Sequence, residues 1–331
     1  MDINFVFEIF MTVTSLLVLV VPCFILAKCK LIGQTAENVL SVVVLYVCQP
    51  LMLVVSFQKT AFSVDILKNM LIVFVLAVVV HAIMIALVML IMRKRSGDKK
   101  ANVLKFSAVF SNCGYMGIPF LQLLYGDAAG EIIVYAGVVI GVFNILAWTI
   151  GVYMMTGDKS AVSVKKALLN PNIIGLIIGV IIFVALQKPV TTVFAAGSVG
   201  ANVVTKLFKS VNFFADMVTP LSMSVIGIKL AYMSINKLFT DKTAYFSVLI
   251  KNVVMSFVAL LVTVFLPVDI TVKNVIFFTL SMPSATMSVL LAIRYDGDAE
   301  AATTNVLLST ALSVVTIPLL YMLFSALCGV V

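Results

Sequence analysis

Charged residues are scarce in this sequence. Asp, Glu, Lys and Arg make up only 11% of it, hydrophobic residues make up 63%, and the mean hydropathy is +1.20. A soluble protein of 331 residues needs far more polar side chains to cover its surface. The net charge of +8 lies in short stretches between apolar runs and is not interleaved with aromatic residues, so nucleic-acid binding is not expected. The composition predicts an integral protein of the lipid bilayer.

Groups for catalysis are also missing. The chain has one histidine, no Ser/His/Asp set, no GxxxxGK[ST] loop and no clustered metal ligands, so we expect neither an enzyme nor an ATP-driven pump, and no cofactor or metal. The cysteines are odd in number and lack CxxC spacing, which argues against a disulfide framework or a zinc site. They are Cys23, Cys29, Cys48, Cys113 and Cys328, and they read as small core residues, with Cys113 set apart by its neighbours.

Long apolar runs fill almost the whole chain. A spanning helix needs roughly 20 mostly apolar residues, and the sequence predicts ten such spans. The first begins MDINFVFE, without a basic n-region or a cleavage site, so it is expected to be retained as a helix. The predicted spans are 5–27, 35–57, 64–92, 102–124, 130–155, 171–187, 207–232, 243–266, 272–294 and 301–327.

Lysine and arginine are distributed unevenly between the two sets of loops. Fifteen lie at the loops that follow spans 1, 3, 5, 7 and 9, and six lie at the opposite loops. The positive-inside rule places the richer set in the cytoplasm. The protein is therefore expected in the cytoplasmic (inner) membrane, with both termini outside the cytoplasm.

Three pairs of residues recur at one spacing of 170 residues and indicate an internal repeat. Because each repeat holds five spans, an odd number, the second copy is inverted in the membrane, as in many secondary transporters. The predicted units are a first repeat over 1–155, a short cytoplasmic loop over 156–170 and a second repeat over 171–331. The pairs are Pro50 and Pro220, Ser111 and Ser281, and Tyr125 and Tyr295.

Two repeat-related spans contain helix-breaking residues. Span 4 carries FSNCGYMGIPF at 110–120, and span 9 carries SMPSATMS at 281–288. Each second half-helix has a suitable start, with Pro119 in the first turn of one and a Ser–x–Pro–Ser cap on the other. A helix N-terminus attracts anions, so the pair predicts a carboxylate site near the bilayer midplane. The alternative is that both breaks only kink or hinge their helices. The candidate substrate-binding residues are Asn112, Cys113, Gly114, Tyr115, Gly117, Pro119, Ser281, Pro283, Ser284 and Thr286.

The stretches NCGYMGIPF, SMPSATMSVLLAIRYDGDAE, YVCQPLMLVVSF and NPNIIGLIIGV resemble the auxin efflux carrier family over essentially the whole chain. That family includes bacterial malate or malonate permeases and the plant PIN-FORMED auxin exporters. The resemblance implies an all-α membrane protein of ten helices in two inverted repeats, with helices 4 and 9 broken and crossed. It also implies a scaffold part, a transport part, elevator-type alternating access and a carboxylate substrate. Plant members place a proline at each crossover, whereas here Pro283 is comparable and Pro119 comes late.

Ionisable residues inside predicted spans are functional candidates, because burying them in a bilayer is costly. Lys251 either snorkels to the cytoplasmic surface or places a positive charge beside the break, hydrogen-bonded to Asn144. His81, 170 residues earlier, is favoured as a packing histidine. Asp216 is either a proton or cation carrier or a partner of Lys206 or Lys209. We therefore take Lys251, Asn144, Asp216 and His81 as candidates for coupling or charge compensation.

Two functions fit these features. The first is a secondary transporter that moves a small organic anion, and the second is a membrane sensor or channel on the same fold. The short polar lining favours a small carboxylate over an aromatic acid. The sequence leaves the coupling ion open between a proton and sodium, leaves the direction of transport open, and leaves a homodimer as one of several arrangements.

Overall fold

The structure, a computed structural model, describes residues 3–93, 98–232 and 241–328. In these ranges the chain is helical, apart from connecting segments and one isolated bridge between Ser111 and Ser284. Short 3₁₀ turns lie at Gly126–Ala128, Lys159–Ala161 and Val190–Thr192, and π-helical turns at Val44–Cys48, Cys113–Gly117, Ala147–Gly151 and Ile250–Met255. The α-helices are α1 (Ile3–Lys28), α2 (Thr35–Val43), α3 (Gln49–Lys59), α4 (Val64–Ile91), α5 (Lys99–Val109), α6 (Ile118–Tyr125), α7 (Ala129–Leu146), α8 (Val152–Thr156), α9 (Val164–Leu168), α10 (Pro171–Leu186), α11 (Val199–Asp216), α12 (Val218–Ala231), α13 (Lys242–Leu249), α14 (Ser256–Val264), α15 (Ile270–Ser281), α16 (Met287–Arg294) and α17 (Ala299–Cys328).

Eight helical stretches of the described residues are long and apolar enough to cross a membrane, where the sequence predicts ten spans. The difference lies in predicted spans 4 and 9, because interruptions divide them into helices of 11 and 8 and of 12 and 8 residues. The total of ten spans stays a prediction. The eight stretches are Phe5–Lys28, Thr35–Lys59, Val64–Ile91, Cys113–Thr156, Lys159–Thr192, Val199–Ala231, Lys242–Val264 and Ala299–Cys328.

Several helices begin where a side chain caps them. Asp98 accepts a hydrogen bond from a backbone N–H in the first turn of α5, and Asp241 and Asp269 do the same for α13 and α15. Asn170 caps α10, whose first residue is Pro171. A polar cap satisfies a free N–H that lipid cannot, and proline is suited to the first helical position. These caps fix the helix ends close to the predicted boundaries.

The predicted start of span 7 at residue 207 is wrong. Its helix begins at Val199, capped by Ser198, and restarts at Val218 after the helix ends at Asp216. The first part of α11 is polar on one side and apolar on the other. It is therefore a good amphipathic helix, but a search for long runs of apolar residues does not detect it. Span 7 is therefore longer than the bilayer requires.

The helices pack as two neighbouring groups. In the first group α1 packs on α12, α12 on α2, and α3 on α10 and α11. In the second group α4 packs on α7, α5 on α8 and α17, and α16 on α17. Contacts of α3 and α10 with α7, and of α1 with α6 and α17, join the two groups. The broken segments thus lie in the second group and face the first.

Glycine allows the helices of the first group to approach closely. A Cβ added at Gly175 of α10 would lie 2.7 Å from the carbonyl oxygen of Pro50 in α3. A Cβ on Gly227 of α12 would collide with the backbone at Val20 of α1. Lipid is as apolar as the helix surfaces, so the hydrophobic effect does not drive helices together inside a membrane. Close packing of this kind is what holds them together.

Charged loop residues gather at one end of the molecule. Lys229 pairs with Glu37 at 3.3 Å, and Lys100 pairs with Asp241 at 2.7 Å, so loops after spans 1, 3 and 7 share a face. This agrees with the odd-numbered loops lying together. Three of the fifteen basic residues assigned to these loops, Lys94, Arg95 and Lys237, lie outside the described residues.

Candidate functional site

Both interrupted segments are present in the structure. Helix α5 ends at Val109, and α6 begins at Ile118 after the π turn Cys113–Gly117. Helix α15 ends at Ser281, and α16 begins at Met287. The backbone leaves the helical conformation at Phe110 and at Met282, so each segment exposes N–H and C=O groups in the middle of an otherwise apolar run. These groups need partners that lipid does not provide.

The two interruptions supply partners to each other through the Ser111–Ser284 bridge. The N–H of Asn112 donates to the carbonyl of Pro283 at 2.7 Å, and the N–H of Ala285 donates to the carbonyl of Phe110 at 2.8 Å. Four backbone groups freed by the breaks are therefore satisfied by an antiparallel pairing. The two broken segments contact each other directly, backbone to backbone.

Lys251 braces this pairing from the π turn Ile250–Met255. Its side chain is fully buried, and Nζ donates to Ser111 Oγ at 2.7 Å and to the carbonyl of Leu280 at 2.9 Å. Ser111 Oγ also donates to the same carbonyl at 2.7 Å. The ammonium thus sits at the C-terminal end of α15, where the helix dipole favours a cation. Lys251 does not snorkel, and its amine lies beside the break.

The expected hydrogen bond between Lys251 and Asn144 is wrong. Asn144 Nδ2 donates to the carbonyl of Ile140 at 2.8 Å, one turn earlier in α7, and its Oδ1 accepts from Asn170 Nδ2 at 2.9 Å. Both polar atoms of the Asn144 carboxamide are therefore used by other partners. Asn144 instead links α7 to the residue that caps α10.

The span 9 interruption is braced by α17 and the neighbouring π turn. Ser284 Oγ donates to Asn305 Oδ1 at 2.7 Å, and Ser284 N donates to Ser309 Oγ at 2.9 Å. Asn252 Nδ2 donates to the carbonyl of Ser309 at 2.7 Å. The predicted Ser–x–Pro–Ser cap is wrong, because α16 begins after Thr286, which makes no capping bond, and Ser284 is used by α17 instead.

The span 4 turn is less fully bonded. The carbonyl of Asn112 accepts from the N–H groups of Met116 and Gly117, but its buried Nδ2 has no hydrogen-bond partner among the described residues. Tyr115 anchors the turn to the first group, because its hydroxyl donates to the carbonyl of Ser41 at 3.2 Å. An unpaired buried carboxamide costs about 1–3 kcal/mol, so the turn carries unused hydrogen-bond capacity.

Sequence reasoning missed Gln49, which faces this turn from the first group. Gln49 is 2% exposed, and its Nε2 lies 3.1 Å from the point that a Cβ on Gly114 would occupy. Its Oε1 accepts from Asn172 Nδ2 at 3.1 Å. The available signal was a glutamine directly before Pro50 in an apolar span. The same reasoning also missed Asn172, Asn252, Asn305 and Ser309.

The remaining candidates of the two segments fall in three places. Cys113 is buried in the π turn and Gly117 ends it, 3.4 Å (measured from an added Cβ) from the side chain of Met282. Pro119 lies in the first turn of α6, as predicted. Ser281 is the last residue of α15, and its buried hydroxyl has no partner among the described residues.

His81 lies in the core, as a packing residue would. It is fully buried, its Nδ1 lies 2.7 Å from the carbonyl of Ala77 in the preceding turn, and its ring faces Phe110 at 6.1 Å between centroids. This ring contact joins it to the start of the span 4 interruption, and its buried Nε2 has no hydrogen-bond partner among the described residues. The repeat relation to Lys251 therefore does not extend to a shared polar contact.

Asp216 lies away from the two interruptions. It is exposed, and its Oδ2 accepts from Asn212 Nδ2 at 2.6 Å in α11. The ion pairs found in the described ranges do not include the predicted pairing with Lys206 or Lys209. The carrier role of Asp216 stays a prediction.

A cavity of about 520 Å³ opens at the face that gathers the charged loops. Burial alone would raise the pKa of the Asp241 carboxyl there, but hydrogen bonds from Lys100 and from the N–H groups of Ala244 and Thr243 outweigh it and hold the pKa below its ordinary value. Asp241 is therefore a carboxylate at neutral pH. Mixed charges line this cavity, which is bordered by Lys100, Asp241, Lys242, Thr243, Asp298, Glu300, Ala301 and Thr304.

Comparison with known proteins agrees with a transport function. Residues 8–321 match the profile of the membrane transport protein family. The chain is also 21% identical over 298 residues to an uncharacterized transporter of Methanocaldococcus jannaschii, and the match covers 88% of this chain and 91% of that relative. This is a family of transporters and not of enzymes. The chain belongs to the membrane transport protein family, the auxin efflux carrier family that its motifs resemble.

Proposed function

We propose that the protein is a secondary transporter of a small organic carboxylate, which binds where the two interrupted segments meet. One observation carries the proposal. A fully buried lysine and an unpaired buried carboxamide, Asn112, flank the same backbone pairing. Asn112 Nδ2 is a hydrogen-bond donor without an acceptor at this bridge, and a bound carboxylate would supply one.

Charge supports an anion over a neutral or cationic substrate. The contacts of Lys251 are a hydroxyl and a carbonyl, and the ion pairs of the described residues do not include it. A buried ammonium without a counter-ion is costly, and an opposite charge within about 4–6 Å relieves that cost. A bound carboxylate would therefore gain from Lys251 as well as from hydrogen bonds.

The short half-helices give further support. Helix α16 begins at Met287 directly after the span 9 interruption, whereas the π turn Cys113–Gly117 runs into α6 without a gap, so the N-terminal end of that half-helix lies at Cys113. The positive dipole ends of both half-helices favour an anion nearby. The polar groups around the bridge are short, which suits a small carboxylate such as malonate or malate better than an aromatic acid.

The architecture that this function requires is the one the family resemblance implies. We infer ten spans in two inverted repeats, 1–155 and 171–331, joined by the loop 156–170, with spans 4 and 9 crossing at the bridge. The first group of helices would be the scaffold, and the second group would carry the substrate in an elevator-type movement. The glycine-mediated packing within the first group supports a rigid scaffold.

Orientation and coupling are part of the same proposal. The excess of basic residues at the odd-numbered loops supports a cytoplasmic-membrane protein with both termini outside the cytoplasm. Transport would be driven by a proton or sodium gradient, since the chain has no nucleotide-binding loop. Assembly as a homodimer stays a prediction.

The test is ligand-induced thermal stabilisation of the purified protein by four acids: acetate, malonate, malate and phenylacetate. Removing one hydrogen bond to a charged group costs about 1.5–3 kcal/mol. Asn112→Ala should therefore weaken binding roughly ten- to a hundredfold, and Asn112→Asp should weaken it further because a like charge repels the anion. The matched control is Asn202→Asp, an exposed position on α11.

Tight carboxylate binding by Asn112→Asp at neutral pH would place the anion elsewhere and leave the span 4 interruption as a hinge. If none of the four acids stabilises the parent protein, the carboxylate proposal itself fails. Counterflow in proteoliposomes then separates a carrier from a channel, because a channel does not exchange labelled solute against its gradient.

A further inference from the structure

Gln49 is placed at a position where an apolar side chain would cost less. It starts α3 directly after the π turn Val44–Cys48 and is 2% exposed, inside an apolar span of the first group. Its Nε2 has no hydrogen-bond partner among the described residues. Buried polar groups are nearly always paired, so each exception needs an explanation. A ligand that completes the pairing is one such explanation.

The Gln49 carboxamide has one hydrogen-bonded neighbour. Asn172 Nδ2 donates to Gln49 Oε1 at 3.1 Å, and Asn172 Oδ1 has no partner among the described residues. Asn170 holds the backbone of Asn172, since its Oδ1 accepts from the Asn172 N–H at 2.9 Å, and Asn170 Nδ2 donates to Asn144 Oδ1 at 2.9 Å. In this arrangement Oε1 of Gln49 is used and Nε2 is its free end.

That free end is aimed at the span 4 turn. Nε2 lies 3.1 Å from the point that a Cβ on Gly114 would occupy, two residues after Asn112. The absence of a side chain at Gly114 leaves the turn open to the carboxamide. Two unpaired N–H donors therefore lie at the span 4 turn. Asn112 Nδ2 belongs to the second helix group, and Gln49 Nε2 reaches the turn from the first.

We propose that Gln49 is a substrate-binding residue that donates its Nε2–H to the carboxylate held at the Asn112–Gly117 turn, with Asn172 as its positioning residue. This assignment rests on the proposed function. Gln49 belongs to the first helix group and Asn112 to the second, so a bound carboxylate bridges the two groups. Binding is then coupled to their relative position, and release requires the bridge to open.

Gln58 offers a matched control on the same helix. It is 5% exposed, its Oε1 accepts from the N–H of Val190 at 2.7 Å, and its Nε2 is also unpaired among the described residues. Gln58 lies at the opposite end of α3 from Gln49, away from the span 4 turn. The two glutamines share type, burial and bonding, and they differ in whether the interruption is within reach.

The experiment compares Gln49→Met, Gln49→Glu and Gln58→Met with the parent and with Asn112→Asp. Each is purified, and its melting temperature is measured without ligand and with increasing malonate, malate, acetate or phenylacetate. We expect Gln49→Met to weaken the best of these acids roughly tenfold or more, and Gln49→Glu to weaken it further by charge repulsion. Gln58→Met should bind within about twofold of the parent, because Gln58 lies at the far end of α3 from the span 4 turn.

Melting temperatures without ligand separate binding from folding. Both methionine variants remove an unpaired donor, so their unliganded melting temperatures should change alike, and only the ligand-induced increment should differ. One outcome overturns the assignment of Gln49 and leaves the carboxylate site standing: the parent binds an acid, Asn112→Asp loses that binding, and Gln49→Met retains it. If no acid binds the parent, the carboxylate site and the assignment of Gln49 are both overturned. Equal loss of affinity in Gln49→Met and Gln58→Met would also overturn the assignment.

Discussion

The two serines of the backbone bridge face each other, yet they are held in different ways. Ser111 is bonded to a lysine ammonium and to a carbonyl at the end of α15. Ser284 is bonded to neutral partners, a carboxamide and a hydroxyl of α17. One side of the pairing therefore holds an ionisable amine, and the other side holds only neutral dipoles.

This difference teaches that two interruptions of similar shape can differ in chemistry. The residue 170 positions before Lys251 is His81, whose Nδ1 lies against its own helix and whose ring faces the interruption. In the proposed transporter, the two interruptions would therefore separate the task of attracting an anion from the task of bracing the backbone. We expect substitutions on the two sides to affect binding and stability differently.

The largest effect is expected from Lys251→Ala. It removes the buried charge and two hydrogen bonds to the bridge, so carboxylate affinity should fall about a hundredfold, at the upper end for a charged hydrogen bond. Thermal-shift titration with the acid that best stabilises the parent measures this. Lys68→Ala is the control, because Lys68 is exposed and pairs only with Asp65 among the described residues. Equal and mild effects would mean that Lys251 is a structural brace only.

Smaller effects are expected from the two serines, on affinity for Ser111 and on stability for Ser284. Ser111→Ala removes the hydroxyl that positions Lys251, so it should lower carboxylate affinity about tenfold. Ser284→Ala removes a bond to Asn305 without touching the charge, so it should lower unfolding free energy by about 1–3 kcal/mol and leave affinity nearly unchanged. Both quantities come from melting curves with and without ligand. If the two variants behave alike, the division of tasks between the sides is wrong.

The smallest effect is expected from Cys113→Ala. Cys113 is 1% exposed in the π turn, and its sulfur interacts with the backbone N–H groups of Cys113 and Gly114. Losing the sulfur should cost roughly 1 kcal/mol of stability as a small cavity and leave affinity within about twofold. A large loss of carboxylate binding, with the fold retained, would make the thiol part of the site.

Local patterns in the sequence predicted the local features of the fold. Asn112, Gly117 and Pro283 interrupt apolar runs, and breakers of this kind need no distant partner to be recognised. The structure places an interruption at both predicted positions. The family follows from the same stretches, because they carry the resemblance.

Partners across the chain could not be predicted in the same way. Gln49 and Asn172 are 123 residues apart, and Lys251 and Ser111 are 140 apart. Their pairing depends on helix packing, which apolar periodicity constrains only weakly when helices are hydrophobic on all sides. The mistaken Lys251–Asn144 bond has this cause, since span order alone does not say which carboxamide faces the lysine.

The π turns affect where the chain length can vary in this protein. A π turn closes hydrogen bonds to the fifth residue where an α-helix closes them to the fourth, so it holds one residue more than the helix around it. Removing one residue within Val44–Cys48 would convert the π turn into a regular α-helical turn and leave the later side chains of α3 facing nearly as before. Removing one residue within α2 would instead rotate every later side chain by about 100° relative to the start of the span. Gln49 would then face away from Gly114 although no residue of either segment had changed. Among relatives, the π turn can therefore differ in length by one residue, whereas α2 cannot without turning Gln49.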